Sequence, residues 1–328
     1  MKFEKLEDGA QSVADWDRFV SDSNDGTVFH TLRFLGYHPG DRFESHHLCI
    51  YKRNRLFAVL PGTLCKEQSG PALVSHPGAS YGGLVFSDHF SFSDASDLIQ
   101  GLVDYSTSAG FRRIEMTLPP TAYMATPHQI FEYALISAGF SYRKRELTSI
   151  VSLDTPVENV LAGLPQKTRA DVRQAQKLGL CVTWRDDPSD EDLGVLYRML
   201  LDNRQDLELK TPPAHSLEEL GRIREKLPGM LLLGLTHSGD TSVAGTLVFR
   251  CNPQVLLTFY ICHDRSARDL HPVHLMLCDL LSEGTRQRYR YVDFGISTVN
   301  MKPLHSLIKF KESFNAQGFF RDTFEKVI

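Results

Sequence analysis

The sequence predicts an α/β protein in two parts, each repeating one pattern of hairpin, helix and strand. Three observations carry this. The 328 residues exceed the usual span of one domain and point to two of about 150 residues each. Period-two and period-3.6 apolar stretches alternate along the whole chain. Finally, Gly110-Phe-Arg-Arg-Ile-Glu-Met116 and Arg288-Tyr-Arg-Tyr-Val-Asp-Phe294 share a register in which a basic turn precedes alternating apolar and acidic residues. Set Ile114 on Val292 and the offset is about 178 positions, as expected of a duplicated unit. The boundary falls near residue 150, giving parts 1–150 and 151–328.

In the first part, Trp16, Phe19 and Val20 mark an amphipathic start. His47–Tyr51, a turn at Lys52–Arg55 and Leu56–Leu60 read as a hairpin that Pro61 and Gly62 end. Ser75–Gly83 combines a proline with three glycines and reads as a loop. Ser93–Ala109 carries Leu98, Ile99, Leu102 and Val103 at helical spacing, Gly110 stops it, and Arg112–Met116 alternates as a strand.

The second part gives the same order. Thr155-Pro156 opens a short helix that Leu164-Pro165 breaks, and Gln166–Leu178 forms another, ended by Gly179. Arg169, Arg173 and Lys177 stand at i, i+4 and i+8 and form a basic stripe, with Val172, Ala175 and Leu178 toward another face. Glu191–Leu207 is a longer helix using Leu193, Leu196, Leu200 and Leu207. Met230–Leu235, a turn at Ser238–Asp240, Val243–Arg250 and Val255–Cys262 are strands. His271–Gln287 is a helix, and Arg290–Phe294 is a strand that Gly295 ends.

Composition narrows the class. Hydrophobic residues make up 42% and charged residues 23%, the proportions of an ordinary globular protein. A net charge of −4 argues against the whole surface serving as a nucleic-acid sink, while leaving room for a local basic stripe. Cys49, Cys65, Cys181, Cys251, Cys262 and Cys278 form no CxxC pair, so reduced thiols are expected and a zinc framework is not. Charged residues run through Met1–Ala10, and no stretch is long enough to span a bilayer, so a cytoplasmic protein is expected.

Four motifs bear on chemistry. Gly78-Ala79-Ser80-Tyr81-Gly82 matches the G-x-S-x-G nucleophile elbow, whose serine must open a helix. The following Gly83–Phe86 reads as extended instead. A glycine loop that lets a ligand approach the backbone is therefore expected, with a serine hydrolase using Ser80 as an alternative. Asp293-Phe294-Gly295 copies the kinase metal-binding triplet without its companion loops. Its content is a carboxylate at a strand end, which either faces a cleft or caps a turn. His271, His274 and Cys278 stand at i, i+3 and i+7, but no carboxylate shares the spacing and no metal is expected. Lys302, His305, Lys309 and Lys311 with Phe310 and Phe314 form a basic, aromatic tail. It reads either as a solvated helix face or as a source of cations for a developing anion.

In order along the chain, Phe29-His30-Thr31 with Phe34-Leu35, Gly78–Leu84, Arg169–Arg173 with Lys177–Leu180, Tyr291–Gly295 and Lys309–Phe314 resemble the FemAB-like branch of the GNAT acyltransferase superfamily. That branch includes the BioF2-type acetyltransferase domain. The resemblance implies two tandem GNAT-like domains, each a mixed central sheet flanked by helices, facing one another across a cleft. It also implies a GNAT-like N-acyltransferase moving an acyl or aminoacyl group to an amine of a cell-envelope or polysaccharide precursor. No tightly bound cofactor is implied; the donor is acyl-CoA, another acyl thioester or aminoacyl-tRNA. Partners are a small-molecule or nucleotide-linked acceptor and, for an aminoacyl donor, tRNA.

The family ending F-K-x-x-F-G reads Phe310-Lys311-Glu312-Ser313-Phe314-Asn315, with Asn315 able to take glycine's left-handed turn. The resemblance carries Lys311 over as the cation for developing negative charge. Motif position makes Asp293 a proton acceptor, sets Tyr81, Ser80, Tyr260 and Phe310 around the substrate, and offers Arg169, Arg173 and Arg204 to phosphates. Arg265–Leu270 departs from the R/Q-x-x-G-x-G/A loop, whose amides hold coenzyme A phosphates, in having no glycine. That departure motivates a second alternative, a non-catalytic binding protein on a duplicated GNAT scaffold.

Overall fold

The computed structural model describes residues 1–7, 10–87, 90–206 and 212–328. The chain divides into two compact units, 1–147 with 319–328 and 148–318.

Unit one begins with strand β1 (Lys2–Lys5), helix α1 (Ala10–Ser21) and a short α2 (Leu32–Leu35). Strands β2 (Glu44–Ser45) and β3 (Leu48–Lys52) pair with β5 (Thr63–Glu67) and β4 (Arg55–Leu60) respectively. They are two stretches of one long hairpin, interrupted where Pro61 has no N–H for the ladder. Its two-residue tip, Arg53 and Asn54, has φ of 50° and 60°, the left-handed pair of a type I′ turn. Next come β6 (Gly70–Ser75), β7 (Val85–Phe86), α3 (Phe92–Ser108), β8 (Arg113–Thr117), α4 (Ile130–Ser137) and β9 (Ser141–Ser152). Helix α3 opens with a Ser91/Asp94 capping box and buries Leu98, Ile99 and Leu102. β6 runs parallel to β8 with Leu73 opposite Ile114.

Unit two contains α5 (Val160–Gly163), α6 (Gln166–Lys177), β10 (Cys181–Asp186), α7 (Asp190–Asp206) and α8 (Leu217–Lys226). The antiparallel strands β11 (Leu231–Ser238), β12 (Thr241–Asn252) and β13 (Val255–His263) follow. A 3-10 turn at Arg265–Leu270 leads into α9 (Pro272–Arg286) and β14 (Tyr291–Ile296). The small strands β15 (Thr298–Val299) and β16 (Lys302–Pro303), then α10 (His305–Glu312), precede β17 (Gln317–Val327). β13 is parallel to β14 with Leu256 opposite Val292, and residues 148–152 of β9 lie antiparallel on the other side of β14.

The duplication is visible in the ladders. β8 lies between parallel β6 and antiparallel β17, as β14 lies between parallel β13 and antiparallel β9. Ile114 and Val292, matched on sequence, take the same place. Each unit thus has a mixed sheet flanked by helices, and unit one carries in addition a four-stranded sheet of β1, β3, β4 and β7.

Two expectations need correction. The last residues belong to unit one, not to the second part: Thr323–Val327 pair with Arg113–Thr117, and Phe324 is fully buried in that core. A strand's partner fixes its unit, and partners distant in sequence leave no local signal. Gly295 does not end β14 either; at φ 78° it kinks the strand inside its span. The expected part of the long helix at Leu207 lies outside the described residues.

Candidate functional site

In unit two the parallel ladder of β13 and β14 stops at Leu257 opposite Asp293, although β13 runs on to His263. The kink at Gly295 carries β14 away there. Asp293, fully buried, holds the kink closed: its Oδ1 accepts from the Thr148 hydroxyl at 2.5 Å and from the Gly295 N–H at 2.7 Å. The carboxylate therefore caps the kink within β14.

The carbonyls turned out by the kink meet Lys311 of α10. Its ammonium donates to Gly295 O at 2.8 Å, Ile296 O at 2.9 Å and Ser297 Oγ at 3.1 Å. Ser297 Oγ is itself 2.7 Å from Ser149 Oγ. An ammonium has three protons, and all three are placed. Only 4% of Lys311 is exposed. Burial pulls its pKa down to about 8, opposed by the charge of Asp293. A solvated helix face describes Lys302, His305 and Lys309, which are exposed; Lys311 is instead a buried cation surrounded by oxygens. Thr148, Ser149 and Ser297 escaped the sequence reading, since a lone hydroxyl in a strand has no spacing signal.

The F-K-x-x-F-N ending is resolved residue by residue. Phe314 is buried against Phe294, and Phe310, half-buried, lies between Phe314 and the ring of His274. Asn315 has φ 63°, the left-handed turn expected of it.

Tyr260 lies on β13 beyond the end of the ladder. Its hydroxyl accepts from the His215 N–H at 3.2 Å and is 3.0 Å from His215 Nδ1. Burial pushes its pKa up to about 12, with Arg204 close enough to pull the other way. Arg204 and Tyr260 are thus brought together. The α6 stripe divides: Arg169 donates to the carbonyls of Ala162 at 3.0 Å and Leu164 at 2.7 Å, tying α6 to the end of α5, whereas Arg173 and Lys177 are exposed. Arg169 is a structural clasp where a phosphate ligand was expected.

Ser80 and Tyr81 belong to unit one. Ser80 opens no helix; an extended segment and then β7 follow it, so the elbow geometry is absent. Arg321 donates to its carbonyl. Tyr81 is only 2% exposed, packed edge-on against Phe29 and Tyr123 with the Arg321 guanidinium 5.3 Å from its ring centre. Its ring is a core member rather than a surface offered to substrate. Gly82 allows close approach: a Cβ there would be 2.3 Å from Ser75 O. His30 fixes the loop, its Nε2 2.9 Å from Gly82 O and its Nδ1 accepting the Thr27 N–H at 3.1 Å. Burial lowers the His30 pKa to about 4, keeping the ring neutral.

The glycine-free stretch forms a 3-10 turn in which the Ser266 and Ala267 amides are already used. Asp264 Oδ1 accepts from the Ser266 N–H at 2.8 Å, and the Ala267 N–H donates to Asp264 O at 3.1 Å. Hydrogen bonding to Ser266 holds Asp264 below the usual carboxylate range, so an anion sits at the start of this turn. Beside this turn, Arg198, Asp202, Asp240 and Arg265, with Val195 and Met199, line a cavity of about 530 Å³ of mixed polar and apolar character. No helix of the described residues is long and apolar enough to cross a membrane.

Residues 166–302 match the family model of the acetyltransferase (GNAT) domain. No curated protein matches the sequence significantly. Among solved structures, FemX is similar over 100% of this chain and 98% of its own, at 12% identity and a TM-score of 0.75. The C-terminal domain of a candidate lysylphosphatidylglycerol synthetase from Agrobacterium fabrum is similar over 96% of this chain and 92% of its own, at 11% identity and 0.61. A tandem GNAT protein from the clavulanic acid biosynthesis pathway is similar over 99% of this chain and 98% of its own, at 9% identity and 0.56.

Proposed function

We propose that this chain, which carries a GNAT-type acetyltransferase domain over residues 166–302, is an N-acyltransferase that takes an aminoacyl group from aminoacyl-tRNA to an amine of a cell-envelope or polysaccharide precursor. The observation carrying the class is the opening of the β13 and β14 ladder at Leu257 and Asp293, with the buried Lys311 ammonium at the kink beyond it. Such a gap leaves β13 beyond Leu257 without ladder pairing to β14, a place for an extended acyl donor. In the reaction the neutral acceptor nitrogen attacks the donor carbonyl. The C–N bond forms, the C–O bond to the ribose breaks, and the nitrogen's proton passes to solvent while the departing oxygen is protonated.

Orientation supplies much of the rate, and the Lys311 charge favours the carbonyl oxygen as it becomes negative. Asp293, buried and already accepting two hydrogen bonds on Oδ1, acts as a positioning residue for the kink. Arg173 and Arg204 remain candidates for donor phosphates. The choice of donor rests on the glycine-free turn at Arg265–Leu270, where Asp264 takes the Ser266 and Ala267 amides and adds an anion, features that suit a coenzyme A pyrophosphate poorly. The synthetase domain, named for lysylphosphatidylglycerol, supports an aminoacyl group as the one transferred.

Incubation of the purified protein with labelled aminoacyl-tRNAs and acyl thioesters, in the presence of amine-bearing precursors, tests this by mass spectrometry of the product. Transfer from aminoacyl-tRNA is expected. Transfer from acetyl-CoA alone would overturn the donor, and binding without transfer from any donor would favour the non-catalytic scaffold.

A further inference from the structure

Asp171 on α6 faces His271 and His274 at the start of α9. Its Oδ1 is 3.7 Å from His271 Nε2 and its Oδ2 is 3.6 Å from His274 Nε2. These three ligand atoms all lie within 4.8 Å of one another, and all three residues are half-buried. Both separations exceed a hydrogen bond. The carboxylate and both imidazole Nε2 atoms therefore converge on one point without bonding to each other.

We propose that Asp171, His271 and His274 bind a divalent first-row transition metal ion of the zinc type, clamping α6 to α9. Bond lengths of about 2.0–2.2 Å place tetrahedral ligand atoms about 3.4 Å apart; the two carboxylate–imidazole separations are within about 0.3 Å of that, and the two imidazoles are within 4.8 Å of one another. Two neutral imidazoles and one carboxylate give a singly negative set suited to a dication. They fill three positions and leave at least one for water or a ligand oxygen. The local fold presents the set. His271 is the N-cap of α9 with φ 56° and ψ 41°, Pro272 is the first helical residue, and His274 follows within the same turn. Phe310 and Phe314 wall the His274 side at ring distances of 5.3 and 5.7 Å, an apolar shell that limits competing water. The carboxylate that the sequence spacing lacked comes from a different helix. Cys278, buried one turn on, is not part of the set.

The test uses the full chain stripped with a chelator, dialysed, and titrated with Co²⁺ as the spectroscopic probe, with Zn²⁺ as competitor. The expected result is a visible ligand-field band saturating at about one Co²⁺ per chain, erased by Zn²⁺, with a rise in Tm on Zn²⁺ addition. Asp171→Asn and His274→Gln should each weaken binding at least about tenfold, with an unchanged circular dichroism spectrum; His271→Gln serves if either fails to fold. Cys278→Ala should leave the band in place. Absence of the band at micromolar Co²⁺, or a band that persists in Asp171→Asn and His274→Gln, overturns the proposal.

Discussion

The Lys311 ammonium donates to Gly295 O at 2.8 Å, so the cation of α10 and the kink of β14 form one element. Removing the cation strands the carbonyls of Gly295 and Ile296, while the Ser297 hydroxyl keeps Ser149. Each unsatisfied buried group costs about 1–3 kcal/mol. Lys311→Met, which keeps the apolar stem, should lower unit-two stability by about 2–4 kcal/mol in urea unfolding. It should also reduce kcat/KM on a proven substrate at least about a hundredfold. Unchanged turnover would remove the electrostatic role.

The same residue sets a pH dependence. Its folded pKa of about 8 lies below the ordinary 10.5. Between these values the unfolded chain binds more protons, so stability should rise with pH from about 8 to 10.5, by about 3 kcal/mol in all. Activity should move oppositely: the charged form is lost above about 8, giving kcat/KM a basic limb there. Urea midpoints of wild type and Lys311→Met across pH 7–10, with a pH–rate profile of the wild type, check both.

His30 gives unit one an acid limit. Its folded pKa of about 4 is below the ordinary 6.5, so the unfolded chain binds more protons between these values. Stability should fall as pH drops from 6.5 to 4, by about 3 kcal/mol from this residue. His76, lowered by burial to about 3, adds to the loss. His30→Gln should flatten the slope; an unaltered slope would place the acid sensitivity elsewhere.

Two glycines should respond differently to alanine. At Gly82 the new Cβ meets the backbone of Ser75 and His76 at 2.3–2.6 Å, so Gly82→Ala should leave little folded protein. At Gly110, φ is 84° with nothing within 4 Å, and Gly110→Ala should lose only about 1–2 kcal/mol to backbone strain. Thermal unfolding separates them.

Arginines of the α6 stripe should also separate. Arg173→Ala should leave Tm unchanged while weakening tRNA binding and lowering its salt slope by about 1. Arg169→Ala should lower Tm by releasing the Ala162 and Leu164 carbonyls. Equal effects on binding would restore the stripe as one phosphate site.

Local chemistry made much of the fold legible. The Gly110 and Gly179 stops and the left-handed Asn315 each depend on one residue's backbone preference, and the structure has each. β6 was hidden because Gly70-Pro71 begins it like a turn, and β17 because its partner lies far off in sequence. At the site, Lys311 and Asp293 were readable as motif residues, but their surroundings were not. Burial and saturation by Gly295, Ile296 and Ser297 follow from a kink that one glycine allows and tertiary packing selects. Arg169 and Tyr81 show the converse: the same residue types serve a helix clasp and an aromatic core.

Strand β17 places residues 319–328 in unit one, beside β8. During synthesis this unit must wait, its sheet open along β8, until the whole of unit two has been translated. The later-made unit is contiguous and has no such delay. The earlier-made unit is thus the one whose sheet is completed last.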